Sequence, residues 1–210
     1  MTELCDMSVT AFTEALASGA ATPGGGSASA LAGALAASLV AMVARNTAAN
    51  PSYADRAAEL EEIVAEAERL RGELVGLVDE DAAAFDRVMA AFRLPKDTDE
   101  LKAARSRAIQ AGYKAAVEPP LLVCRDALRV LELAARVTEQ ANPNAVSDAG
   151  VAALLAASAL EGAALNVEIN LGSIKDEDYR TGNARTVQQA RAEGAQLRDR
   201  ALATVRATLG

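Results

Sequence analysis

The stretch Leu70-Arg71-Gly72-Glu73-Leu74-Val75-Gly76-Leu77-Val78-Asp79-Glu80-Asp81-Ala82-Ala83-Ala84-Phe85-Asp86-Arg87-Val88 decides the fold class. Its apolar residues recur three and four apart, the spacing of one buried helix face, and never alternate as a strand would. The same spacing extends back through Leu60, Ile63 and Ala67 and on to Phe92, so a single helix is expected from Ala54 to about Phe92, closed by Leu94-Pro95. Continuing the stripe from Leu77 toward Phe85 lands on Asp81, which puts a carboxylate among hydrocarbon side chains. Asp79 and Glu80 are turned roughly 200° and 100° from it and are expected in solvent.

Burial disfavours the ionised form of a carboxyl group and moves its pKa toward neutrality, as a proton-transfer residue at pH 7 requires. A structural ion pair between Asp81 and an Arg or Lys of a neighbouring helix would answer the same pattern. His is absent from the chain, so acid–base chemistry falls to Asp, Glu, Lys, Tyr or Cys.

Outward from this helix the rest of the chain also reads as helix. A short one spans Ser8 to Ser18, capped by Ser8, with Phe12 and Leu16 inward and Gly19 as its stop. Thr22-Pro23-Gly24-Gly25-Gly26-Ser27 is a turn before the small-residue helix Ala28 to Arg45, where Gly33 and Ala37 allow close approach of a second helix. Asn46 to Ser52 reads as a loop. Asp97 or Thr98 caps a helix through Lys114, with an interruption expected at Pro119-Pro120, because each ring removes a donor and crowds the preceding turn. Helices follow from Leu121 to Val137, from a Ser147-Asp148 cap to Leu171, and from Asp176 to Leu209, with breaks at Ala141 to Asn144 and Gly172-Ser173. The expectation is one all-α domain over residues 1–210, a helical bundle of about six or seven helices with long antiparallel members.

Composition agrees: 51% of residues are hydrophobic but only 3% aromatic, an excess of Ala and Leu that favours packed helices. The formal charge of −8 argues against nucleic acid as a partner, since a phosphate-tracking groove would form against the field of the whole molecule. Cys5 and Cys124 have neither disulfide-framework nor zinc spacing, so no metal is expected and a reducing cytoplasm fits. Met1 to Thr10 lacks the basic start of a secretory signal. Gly24 to Ala44 is uncharged and long enough to cross a bilayer, but its Gly, Ala and Ser gain little from lipid, so it is read as the central helix of a soluble bundle and no membrane is expected.

Two further groups carry possible chemistry. Glycines at a helix start leave N–H groups free for a carbonyl, carboxylate or phosphate, although a tight turn between helices needs the same glycines. Asn142, Asn144, Asn166 and Asn170 supply amides that suit either a pterin edge or hydrogen bonds between helices.

Taken in order, Thr22 to Ser27, Val78 to Phe85, Leu94-Pro95-Lys96 with Thr98 and Lys102, Asn142 to Asp148, and Asn166 to Leu171 resemble the cyclodeaminase/cyclohydrolase family, over nearly the whole chain. The resemblance implies an all-helical homodimer acting on reduced folate without a cofactor, with Asp81 catalytic as the second aspartate of the Asp-x-Asp segment. It further implies Gly24, Gly25, Gly26, Ser27, Tyr53, Lys96, Asn142, Asn144, Asp148, Asn166 and Asn170 as substrate-binding candidates. The expected reaction is hydrolysis of methenyltetrahydrofolate to the formyl compound. The alternative is the cyclodeaminase reaction, in which a formimino group closes and ammonia leaves; the absence of a fused formiminotransferase domain tilts the expectation toward the first. Relatives carry Gly and paired Lys where this chain has Ala48-Ala49-Asn50-Pro51-Ser52 before Tyr53, and the usual Gly before the Asn-x-Asn segment is Ala141. The loss of those lysines keeps a third reading open, a non-catalytic helical interaction protein derived from the family.

Overall fold

The computed structural model describes residues 3–210, so Met1 and Thr2 of the N-terminal stretch lie outside the described residues. Six α-helices run in chain order, with no strand among the described residues: α1 Val9–Ala17, α2 Gly25–Ala48, α3 Ala57–Phe92, α4 Asp99–Gln140, α5 Val146–Leu171 and α6 Glu177–Leu209. Three short 3-10 segments, Leu4–Asp6, Pro51–Arg56 (kinked at Tyr53) and Pro143–Ala145, occupy the joints.

Local side-chain caps set the start of three of the six helices. Ser8 accepts from Ala11 N, Thr98 from Leu101 N and Asp176 from Tyr179 N, each answering an otherwise unpaired N–H of the first turn. Gly19, after α1, sits at φ +81°, a conformation that side chains disfavour, and this turns the chain toward α2. Two local expectations fail. Ser147 and Asp148 do not cap α5, because Pro143–Ala145 already winds as a 3-10 turn that runs directly into Val146. Asn46 to Ser52 is not all loop: α2 continues to Ala48, and the Asn50 side chain caps the following turn through Ser52 N.

The largest departure is at Pro119-Pro120, where α4 passes uninterrupted through 42 residues. The N–H that Pro120 lacks would have met the carbonyl of Ala116, four residues earlier. The Asn170 side chain of α5 supplies the missing donor instead, Nδ2 to Ala116 O at 3.0 Å. Both prolines are buried, so their rings pack into the core while a neighbouring helix satisfies the backbone they disturb.

The core lies where α2 and α5 run antiparallel between α3, α4 and α6, and the small residues of α2 and α5 let the axes close up. A Cβ at Gly33 would stand 3.1 Å from Leu74 and 3.5 Å from Ala159. Leu60, Ile63, Ala67, Leu70, Leu74 and Leu77 all face this core, as their spacing requires. Both α2 and the Pro143–Leu171 segment are long and apolar enough by length and composition to cross a membrane, and in the fold they form the centre of the bundle, with 61% and 56% of an 18-residue apolar window in each buried.

Helix lengths create the step that becomes the site. At 36 residues α3 outruns the 24 of α2, and the two are registered so that the N-terminus of α2 meets α3 at Asp81. Residues 82–92 of α3, about 16 Å of helix, therefore project beyond the end of α2. The first half of α4 accompanies them, joined through Ala84, Val88, Ala116 and Tyr113. This overhang explains why Phe85 and Phe92, assigned by spacing to the buried face, are each 39% exposed: past Asp81 the stripe has no α2 to cover it. Leu16 is likewise exposed rather than inward, at 40%, on the outer side of the short α1.

Candidate active site

The step holds a cleft of 380 Å³. Gly24, Gly25 and Gly26 form its floor with Asp81. Phe85, Val88, Met89 and Phe92 of the α3 overhang and Tyr113 of α4 form one wall, and Asn166, Ile169 and Asn170 from the end of α5 form the other.

Asp81 is the central group. Its Oδ2 accepts from Ser27 N at 3.0 Å and from Ser27 Oγ at 3.3 Å, while Ser27 Oγ also reaches Val78 O at 2.9 Å. Ser27 is fully buried, so it fixes the carboxylate from behind and leaves the other oxygen toward the cleft. Asp81 thus caps α2 from a different helix, in the place where a Ser or Asp side chain from the preceding turn would serve. Gly26 makes the approach possible, since a Cβ there would lie 2.0 Å from Asp81 Oδ1. Burial pushes the carboxyl above the usual carboxylate range; the two hydrogen bonds from Ser27 pull the other way without cancelling it. No charged side chain contributes to that shift, and among the described residues Asp81 forms no ion pair. The alternative of a structural ion pair is therefore not what the fold contains.

The N–H groups of Gly25 and Gly26 open the first turn of α2 and, among the described residues, donate to nothing within the chain. A helix N-terminus with two free donors favours a negatively charged or strongly polarised oxygen. Both asparagines are oriented by carbonyls, to which only an amide N–H can bond: Asn166 Nδ2 donates to Gly162 O at 2.8 Å, and Asn170 Nδ2 to Ala116 O. Each retains an amide oxygen and a second N–H for a ligand.

The sequence-derived binding residues separate into two sets. Gly24, Gly25, Gly26, Asn166 and Asn170 line the cleft, and Ser27 stands behind Asp81. Tyr53, Asn142, Asn144 and Asp148 do not: they gather at the opposite ends of α2 and α5, where Asn142 N donates to Thr47 Oγ1 and Asn142 accepts from Asn144 N. Twenty residues of α2 separate Ser27 from Thr47, about 30 Å along the axis. Lys96 lies outside the cleft in an adjoining depression with Lys102, Arg105 and Lys175. Asp79 is not simply solvated either: it accepts from Leu4 N at 2.5 Å and Cys5 N at 3.2 Å, tying the N-terminal turn to the far side of α3.

The aromatic wall is a functional feature that helical periodicity alone does not single out. Of six Phe and Tyr residues in the chain, Phe85, Phe92 and Tyr113 converge here, with the Phe92 and Tyr113 rings edge to face at 6.2 Å. Aromatic faces lining an open cleft, in a protein so poor in aromatics, suit a flat ligand. The available signal was that Phe85 and Phe92 follow Asp81 by four and eleven residues, on the same face.

Residues 8–189 match the model of the formiminotransferase-cyclodeaminase family. This chain belongs to that family. It is 42% identical over 195 residues to a methenyltetrahydrofolate cyclohydrolase of Methylorubrum extorquens, across 93% of this chain and 94% of that protein. It is 32% identical over 186 residues to a formimidoyltransferase-cyclodeaminase of Gallus gallus, across 89% of this chain but only 34% of that longer protein. The crystal structure of a formiminotetrahydrofolate cyclodeaminase from Thermotoga maritima superimposes with a TM-score of 0.89 at 28% identity, covering 99% of this chain and 100% of its own. The expected all-α bundle and family membership are thereby established.

Proposed function

We propose that the protein is a methenyltetrahydrofolate cyclohydrolase of one-carbon metabolism, supported by the full-length similarity to the Methylorubrum enzyme. One observation in the fold carries the chemistry: a half-buried carboxylate without a cationic partner on the floor of an aromatic-walled cleft. The methenyl bridge is a flat, cationic amidinium. Its charge answers Asp81, and its rings suit the face made by Phe85, Phe92 and Tyr113.

The reaction then needs proton transfer alone and calls for neither metal nor cofactor. Asp81 accepts a proton as water adds to the bridge carbon, forming the C–O bond. It returns that proton to the ring nitrogen as the C–N bond breaks, while the carbinol O–H proton leaves to solvent. The free N–H groups of Gly25 and Gly26 are placed to stabilise the developing oxygen. Purified protein mixed with methenyltetrahydrofolate should bleach its near-ultraviolet absorbance well above the buffer rate; no acceleration would refute the assignment. Ammonia release from formiminotetrahydrofolate in the same preparation would favour the cyclodeaminase reaction instead, the activity named for the Thermotoga structure.

The protein is further proposed to work in the cytoplasm as a homodimer. Adjacent helices α2 and α5 leave Leu35, Met42, Val151, Leu154 and Leu165 exposed, an apolar face that a second copy would bury. Light scattering should give twice the chain mass of 21.6 kDa; monomer at micromolar concentration would argue against it.

A further inference from the structure

We propose that Pro120 is a positioning residue for the cleft: by leaving the Ala116 carbonyl without a helical donor, it locks the Asn170 amide in one orientation, with Oδ1 held as a fixed acceptor for an N–H of the ligand. The inference deepens the folate reading above and rests on it.

In an α-helix the Ala116 carbonyl would accept from residue 120, and in a 3-10 turn from residue 119. Both are proline and neither has an N–H, so in the interior of α4 this one carbonyl loses both of its possible helical partners. The Pro120 ring also crowds it and tips it away from the helix axis. Ala116 is only 7% exposed and lines the cleft, so bulk water does not freely take the place of the missing donor. Asn170 takes it, Nδ2 to Ala116 O at 3.0 Å. A carbonyl cannot donate, so the planar amide turns its N–H toward Ala116 and its oxygen the other way. That oxygen has no partner among the described residues and is not sealed from solvent, and Asn170 lines the cleft.

The bond joins the two walls of the cleft. Asn166, one turn earlier, bonds to Gly162 O of its own helix, whereas Asn170 reaches across to α4. It stands one residue before the end of α5, where a helix frays unless something holds it. The two prolines are not equivalent in this respect. An N–H restored at residue 119 would return to Ala115 in α-helical geometry. One restored at residue 120 would return to Ala116 and draw its carbonyl back along the axis, away from Asn170.

The test compares Pro120→Ala with Pro119→Ala, Asn170→Ala and the Pro120→Ala/Asn170→Ala double variant; Pro120→Val, closer to the ring in volume, restores the same N–H and should behave as Pro120→Ala does. Pro120→Ala should raise KM for methenyltetrahydrofolate about tenfold, the worth of one hydrogen bond, with kcat within about twofold, as loss of a contact made equally before and in the transition state requires. Pro119→Ala should stay within about twofold of wild type in both constants, since Ala116 O keeps its partner. In the Asn170→Ala background the Pro120 substitution should change KM no further yet raise Tm, because the new N–H answers a carbonyl that Asn170 no longer reaches. The side-chain amide resonances of Asn170, assigned by their absence from the Asn170→Ala spectrum, should move in Pro120→Ala and hold in Pro119→Ala. Unchanged KM or unchanged Asn170 resonances in Pro120→Ala, or additive KM effects in the double variant, would overturn the positioning role and leave the cyclohydrolase assignment intact. Absence of turnover by the wild type would remove the folate reading, and the amide resonances would still decide whether Pro120 orients Asn170.

Discussion

Asp81→Asn is expected to lower kcat for methenyl hydrolysis by about a thousandfold or more, the scale on which a positioned general base operates. The substitution keeps the shape: the amide oxygen can still accept from Ser27 N, the 3.0 Å bond that holds the carboxylate now. What is lost is the negative charge facing an amidinium and the site that takes the proton from water, so KM should rise as kcat falls. The wild-type pH profile follows from the same group. Asp81 must be ionised to act, and burial lifts its pKa above the usual carboxylate range, so kcat/KM should decline on the acid side at a higher pH than an exposed aspartate would give. Stability moves in the opposite sense. A carboxyl whose pKa is raised by folding contributes stability below its unfolded value and loses it as pH rises through the folded value. At pH 7 the ionised Asp81 is therefore a net cost that Asn does not carry. Melting curves should show the variant with the higher Tm at neutral pH and the difference shrinking toward pH 4; a lower Tm for the variant at pH 7 would mean that the carboxylate is stabilising and the desolvation account is wrong.

Why Asp81 was legible and the cleft around it was not comes down to register. Periodicity within one helix is written in its own residues, so a carboxylate in the stripe Leu70, Leu74, Leu77 declares itself without knowledge of any partner. Whether that stripe meets core or open space depends on where α2 stops relative to α3, which no residue of α3 encodes, and so Phe85 and Phe92 read as core although they wall the cleft. The continuous α4 has the same origin. The donor that rescues the Ala116 carbonyl comes from Asn170, fifty residues beyond the prolines, and a local reading of Pro119-Pro120 sees only the loss. Helical angle alone puts Asp79 in solvent, yet the side it faces is covered by Leu4–Asp6, a segment distant in sequence. Likewise the asparagine motifs look equivalent along the chain, but antiparallel packing of α2 and α5 sends Asn166 and Asn170 to the glycine turn and Asn142 and Asn144 to the opposite end.

Gly26→Ala should cost activity about a hundredfold or more while leaving stability almost where it was. In an ordinary helix the change is favourable by about 1 kcal/mol, since Ala loses less backbone entropy than Gly. Here the new Cβ would fall 2.0 Å from Asp81 Oδ1, 2.3 Å from its Cγ and 2.5 Å from Oδ2, a collision with the entire carboxylate. The carboxylate sits at the end of a side chain with two rotatable bonds, so it can yield, but yielding means giving up Ser27 N and Oγ. Losing that cap costs about 1 kcal/mol, close to what the alanine gains, so the melting temperature is a poor witness. Catalysis is a sensitive one, because displacing a reacting group by about 1 Å is enough to lose two orders of magnitude. Gly25→Ala provides the contrast: its Cβ would meet Asn166 Nδ2 at 3.4 Å, an ordinary contact, and the loss there should be far smaller. Comparable activity in the two alanine variants would show that the close approach of α2 to Asp81 does not govern the chemistry. A deep loss in Gly26→Ala alone, with both proteins equally stable, would tie the missing side chain of one glycine to the position of one carboxylate.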